Sequence, residues 1–135
     1  MEITFGGDKK INASFHGFVI KTDQPKSAGG HDSAPSPFDL FLASLGTCAG
    51  IFAVGFMQSR KLSLEGFKIN LSFDRDADSH LVKKVGMRIT LPKGFPPRYK
   101  AALIKSIDLC TVKQHLASPP KFEITTSPEI HEELK

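Results

Sequence analysis

Residues 36–57 read Ser36-Pro37-Phe38-Asp39-Leu40-Phe41-Leu42-Ala43-Ser44-Leu45-Gly46-Thr47-Cys48-Ala49-Gly50-Ile51-Phe52-Ala53-Val54-Gly55-Phe56-Met57. The first four residues form a helix start: Ser36 can cap, Pro37 suits the first helical position, and Asp39 completes a capping box. From Leu40 to Met57 there are eighteen residues without a charge, the lower length limit for a membrane-spanning helix. Ser44, Gly46, Thr47, Gly50 and Gly55 within the stretch, Asp39 before it and Arg60-Lys61 after it argue against insertion. The remaining reading is a helix apolar on all sides because other elements enclose it completely. It is expected over about residues 36–61, roughly 37 Å long. Ala43, Gly46 and Gly50 share one face at spacings of three or four. They either admit another backbone closely or make room for bulky core residues.

On the N-terminal side the pattern has period two. Ile3 and Phe5 alternate with Thr4, and Ile11, Ala13 and Phe15 alternate with Asn12, Ser14 and His16. Such alternation predicts half-buried strands. With turns at Gly6-Gly7-Asp8 and at Gly17, and Phe18–Thr22 as a third strand, residues 1–22 read as an antiparallel meander. Residues 23–35 read as a long surface loop of the kind that is often functional. On the C-terminal side, Phe67, Ile69, Leu71 and Phe73 and then Val85, Met87, Ile89 and Leu91 predict a hairpin over 66–91. Helices are expected over about 97–117, broken at Cys110, and Phe122–Thr126 reads as a last strand within about 121–126.

The 135-residue length suits a single domain, 1–135, with one core. A composition of 40% apolar and 24% charged residues excludes a mostly disordered, collagen-like or fibrous chain. Lys and Arg number 18 against 14 Asp and Glu, a net charge of +4, but no basic stripe or aromatic-studded motif accompanies it, so no nucleic-acid partner is expected. The chain opens Met-Glu-Ile-Thr-Phe-Gly-Gly-Asp, without a basic and apolar signal segment, which predicts a cytoplasmic protein with reduced thiols.

Cys48 and Cys110 are too few for a disulfide scaffold and lack the paired spacing of a zinc site. Either could simply be a small buried hydrophobe. Reactivity needs a thiolate, and lowering a thiol from about 8.5 by two units requires about 2.7 kcal/mol. Cys48 lies twelve residues beyond Ser36, out of reach of its own helix dipole, which fades within the first turn. Cys110 would open the short final helix, so position along the chain favours it as the more acidic thiol. The histidines His16, His31, His80, His115 and His131 show no metal-ligand spacing, although His115 lies five residues beyond Cys110. No metal or cofactor is expected, and no Walker-type, dinucleotide-binding or nucleophile-elbow pattern occurs.

These residues resemble the OsmC/Ohr family of small thiol-dependent peroxidases and their less characterised relatives. Asp23-Gln24-Pro25, Gly29-Gly30 and Ala34-Pro35-Ser36-Pro37 are similar to the family's loop into the central helix. Asp39–Cys48 resembles the segment carrying the first cysteine, and Cys110-Thr111-Val112 with Leu116 resembles the second-cysteine motif, where proline commonly replaces Thr111. The order of elements matches along nearly the whole chain.

The resemblance implies an α+β fold with antiparallel sheets wrapped around long central helices in an intertwined homodimer. It also implies a peroxidatic Cys48, a resolving Cys110, a peroxide substrate and a dithiol reductant, which is lipoyl-linked in the better-known branch. The peroxidase branches carry a glutamate after the helix-opening proline and an N-terminal arginine paired with it. Here Phe38 follows Pro37, and no arginine precedes Arg60. Asp39 is turned about 100° around the helix, and Lys10 or Lys21 lacks the planar guanidinium fork. Arg88 or a partner's lysine is the candidate replacement cation. The sequence therefore predicts an OsmC-like redox protein reducing organic or hydrogen peroxides through Cys48 and Cys110. The alternatives are a binder of a hydrophobic small molecule in an apolar groove beside the long helix, and a cysteine-based redox sensor.

Overall fold

A computed structural model describes residues 1–127. Strands β1 (Glu2–Phe5), β2 (Ile11–Phe15) and β3 (Phe18–Thr22) form an antiparallel meander. Its register pairs Ile3 with Ala13, Ala13 with Ile20 and Phe15 with Phe18. The last pair is closed by His16 and Gly17, both at positive φ (48° and 80°), as a two-residue hairpin turn demands.

The loop that follows is tightly organised around one carboxylate. Asp23 is fully buried and accepts from the amides of Gln24 (2.8 Å), His31 (3.2 Å) and Ser33 (3.1 Å) and from the Ser33 hydroxyl (2.6 Å). These bonds draw the two ends of the loop together, and the Asp23 amide donates to the Pro35 carbonyl at 3.3 Å. Gly30 is required there, because a Cβ would lie 1.9 Å from the Gln24 carbonyl oxygen.

Helix α1 spans Pro37–Ser59 with Ser36 as its cap. The capping box is reciprocal: the Ser36 hydroxyl accepts from the Asp39 amide at 3.2 Å, and the Asp39 carboxylate accepts from the Ser36 amide at 3.0 Å. Hairpin β4 (Lys68–Arg75) and β5 (Val82–Thr90), then helices α2 (Lys100–Asp108) and α3 (Thr111–Ala117), complete the fold. The core gathers Ala49, Ala53, Phe56 and Met57 of α1 with Leu103 and Ile107 of α2, and Ile69, Met87 and Ile89 pack against it from the hairpin. Alanines at 49 and 53 let α2 approach, and the Ser106 hydroxyl donates to the Phe52 carbonyl across the contact at 3.2 Å. Gly46 resolves one ambiguity of the sequence: its Cβ position lies 3.0 Å from Leu71 Cδ1, so it makes room for that half-buried side chain of the hairpin. Nothing lies within 4 Å of the corresponding positions at Gly50 and Gly55.

Two expectations need correction. Residues 121–127 form no strand, and Phe122 and Ile124 are 87% and 94% exposed. A strand exists only where an edge receives its hydrogen bonds, and this segment has none within the described chain. Secondly, α1 is not enclosed. It is long and apolar enough by length and composition to cross a membrane, yet only one side packs on α2 and the hairpin, and Ile51 on the other side is 73% exposed. Within one chain the meander and the hairpin are separate sheets, and the meander contributes nothing to the core cluster.

Candidate active site

Cys48 lies mid-way along α1, one residue before the core alanine Ala49. Cys110 lies at the break between α2 and α3. Its backbone is non-helical (φ −46°, ψ 119°) and it occupies the cap position of α3. Leu103 and Ile107 fix α2 on α1, which carries the break onto the same part of the long helix. There the fully buried Cys110 thiol donates to the Leu45 carbonyl, 4.0 Å away. Leu45 is three residues before Cys48, so this contact brings Cys110 to the turn of α1 next to Cys48. The two thiols are close enough to influence each other's ionisation, and both are free.

The environments of the two sulfurs differ. Cys48 is half-buried and faces the first amides of α3. The Val112 amide is the main influence lowering its pKa from 9.0; burial works against it, and the Cys110 thiol with the amide and hydroxyl of Thr111 adds to the lowering. Cys110 is pushed up from the same value, first by burial, with the Lys113 amide opposing and the neighbouring Cys48 sulfur reinforcing the rise. This reverses the order that chain position suggests. The helix N-terminus does act on a thiol, but its free N–H groups point ahead of the helix. What stands ahead of α3 is Cys48.

None of the leading influences on Cys48 is a cation. Arg88 lines a groove between β5 and α2 instead. Phe38, where the peroxidase branches place glutamate, packs on Phe41 at 5.5 Å and lies beneath the Arg75 guanidinium at 5.4 Å. Asp39 is committed to its cap, and its carboxyl is held below the usual range by Ser36 first and by Arg75 last. Phe38 is ten residues from Cys48, about 15 Å along the helix. His115 turns its Nδ1 to the Thr111 carbonyl at 2.8 Å on the exposed side of α3 and does not figure among the influences on either sulfur. His131 lies outside the described residues. Sequence reasoning missed Thr111 and Val112. The available signal was the helix break after Cys110, which frees exactly those donors that a following helix cannot satisfy itself.

The groove beside this site has a volume of about 730 Å³. Leu45, Met87, Ile89, Leu103, Ile107 and Leu116 supply apolar walls, and Arg88, Lys100 and Lys113 supply positive charge, Lys113 being paired with Asp108. It runs between β5 and α2–α3 and meets the long helix at Leu45, rather than lying along that helix as the sequence suggested.

A family profile described as OsmC-like protein matches residues 30–125. A putative osmotic stress induced and detoxification response protein from Psychrobacter arcticus 273-4 superposes with a TM-score of 0.73 at 23% identity, covering 84% of each chain. An organic hydroperoxide resistance protein OsmC from Legionella pneumophila, described as a predicted redox protein and regulator of sulfide bond formation, gives 0.53 at 17% identity, covering 85% of each. At these identities the likeness is one of fold. No curated protein sequence matches this chain.

Proposed function

This chain belongs to the OsmC-like protein family, and from that premise we propose that it is a thiol-dependent peroxidase-like enzyme with Cys48 as the attacking sulfur and Cys110 as the resolving one. The observation that carries this reading is the seat of the Cys110 thiol on the Leu45 carbonyl, one turn of α1 before Cys48, and the opposite influences on the two thiols, Cys48 lowered and Cys110 raised, agree with it. The attacking group must be ionised, while its partner must retain a proton until a sulfenic acid exists.

In the proposed cycle the Cys48 thiolate attacks the peroxide oxygen. An S–O bond forms, the O–O bond breaks, and the departing alkoxide or hydroxide takes a proton to leave as alcohol or water. Cys48 is oxidised to the sulfenic acid. The Cys110 sulfur then displaces that hydroxyl as water, forming the Cys48–Cys110 disulfide. A dithiol reductant, of which a lipoyl group is one form, returns both thiols by exchange and is itself oxidised to a disulfide.

A homodimer belongs to the same reading. Ile51 on the open side of α1 and Phe5 on the meander, 82% exposed, would otherwise face water, and exposed apolar patches of this kind mark interaction surfaces.

Peroxide consumption with a dithiol tests the assignment. Wild type should turn over, Cys48→Ser should lose activity, and Cys110→Ser should stall as a sulfenic acid trapped by dimedone. Equal slow rates in all three would reject catalysis. The groove of about 730 Å³ supports a second reading, a binder of a hydrophobic small molecule or acyl chain. An apolar ligand retained in native mass spectrometry, together with absent turnover, would favour it.

A further inference from the structure

We propose that α3 is a redox-released cover on the thiol pair: it is seated while Cys110 is a thiol and comes loose when Cys110 is joined to Cys48, opening the disulfide to the dithiol reductant. The seat is one buried contact. Cys110 occupies the cap position of α3, is wholly covered, and donates its thiol proton to the Leu45 carbonyl at 4.0 Å. A disulfide sulfur carries no proton, so this bond ends on oxidation and leaves two acceptors facing each other. The hydrogen bond is weak by itself. Its weight comes from how little else holds α3.

The helix has seven residues, none of them buried, and no side-chain cap, and a helix this short does not hold itself in water. Val112 and Lys113 are half-buried, while Thr111 and residues 114–117 are exposed. Among the described residues its other ties lie at the surface: Lys113 pairs with Asp108, and Gln114 Nε2 donates to the Leu109 carbonyl at 3.4 Å. Exposed ion pairs contribute little, and both ties lead to the end of α2 rather than to α1. By contrast α2 is held in the core by Leu103 and Ile107 and across to α1 by the Ser106 hydroxyl. The chain is therefore firm up to Cys110 and loose beyond it, with the redox-active sulfur as the pin between the two parts. Release would also carry Lys113 and Leu116 out of the wall of the groove, to which Leu45 itself belongs. The inference rests on the peroxidase reading in taking the Cys48–Cys110 disulfide as the oxidised form.

Hydrogen–deuterium exchange of the full chain, read by peptide mass spectrometry, tests the release. The disulfide form is prepared with hydrogen peroxide and, separately, with diamide. Each takes up two electrons and both thiol protons, the peroxide leaving as two waters and the diamide as its hydrazine. In either disulfide form the amides of Gln114 and Ser118, which close the turns of α3 on the Cys110 and Gln114 carbonyls, should exchange about 3–10-fold faster than in the reduced chain. Those of Leu103 and Ile107 should keep their rate. Cys110→Ala, which removes the donor, should show the fast α3 without any oxidant. Equal exchange of α3 in the reduced and disulfide forms overturns the proposal, as does a slow α3 in Cys110→Ala, a rise shared equally by α2, or a pair that diamide fails to join. The two wild-type forms decide the matter even where Cys110→Ala folds poorly. Peroxide turnover separates the claims: release of α3 in the diamide disulfide without turnover sinks the peroxidase reading alone, and turnover with α3 unmoved sinks the release alone.

Discussion

At Cys48 the amides that open α3 lower the pKa of a half-buried thiol, and at Cys110 burial raises that of a covered one. The measurable consequence is that alkylation of Cys48 should reach half its maximal rate at a lower pH than an ordinary thiol and that of Cys110 at a higher one. Coincident midpoints would remove the division of labour. Asp23 gives a second prediction. Its hydrogen bonds, that of the Ser33 hydroxyl first, depress the carboxyl well below its ordinary 3.8. A depressed native value means that its contribution to stability is complete above the unfolded value near pH 4 and is lost as pH falls further towards the native one. Thermal unfolding of wild type and Asp23→Asn should therefore differ most at neutral pH and converge below pH 4. Both cysteines were legible in the sequence as candidates. Their order of acidity was not, because it depends on donors 62 and more positions further along the chain.

Ser36, Gly30 and the strand alternations govern the elements. Removing the cap with Ser36→Ala should cost about 1 kcal/mol in urea unfolding. Gly30→Ala forces a methyl group onto the Gln24 carbonyl and should cost about 1–3 kcal/mol, loosening the loop that delivers the chain to Ser36. An alanine at 30 with unchanged stability would mean that the loop is not held as described. The cap located the start of α1 to the residue, period-two alternation located four of the five strands, and the Gly17 turn located β3, since all these signals are local. Phe122–Thr126 has the same composition as those strands but lacks an edge to join, and no local signal registers that.

Across the molecule, stability resides where α2 meets α1. Leu103 is 1% exposed, and Leu103→Ala should cost about 2–5 kcal/mol, with the break at Cys110 losing its anchorage as well. The open side of α1 leads to a further expectation: sedimentation should show a dimer, and Ile51→Glu should shift it towards monomer. A monomeric wild type would leave that apolar side unexplained.

Periodicity, capping and turn residues act over a few positions, and from them came the order of elements and the long helix, while the resemblance supplied the α+β class and the roles of the two thiols. The meeting of those thiols, the aim of α3 at Cys48 rather than Cys110, and the bare side of α1 came only from packing. Hydrogen-bond direction and solvent exclusion depend on what lies opposite in space, and a linear pattern does not carry that information.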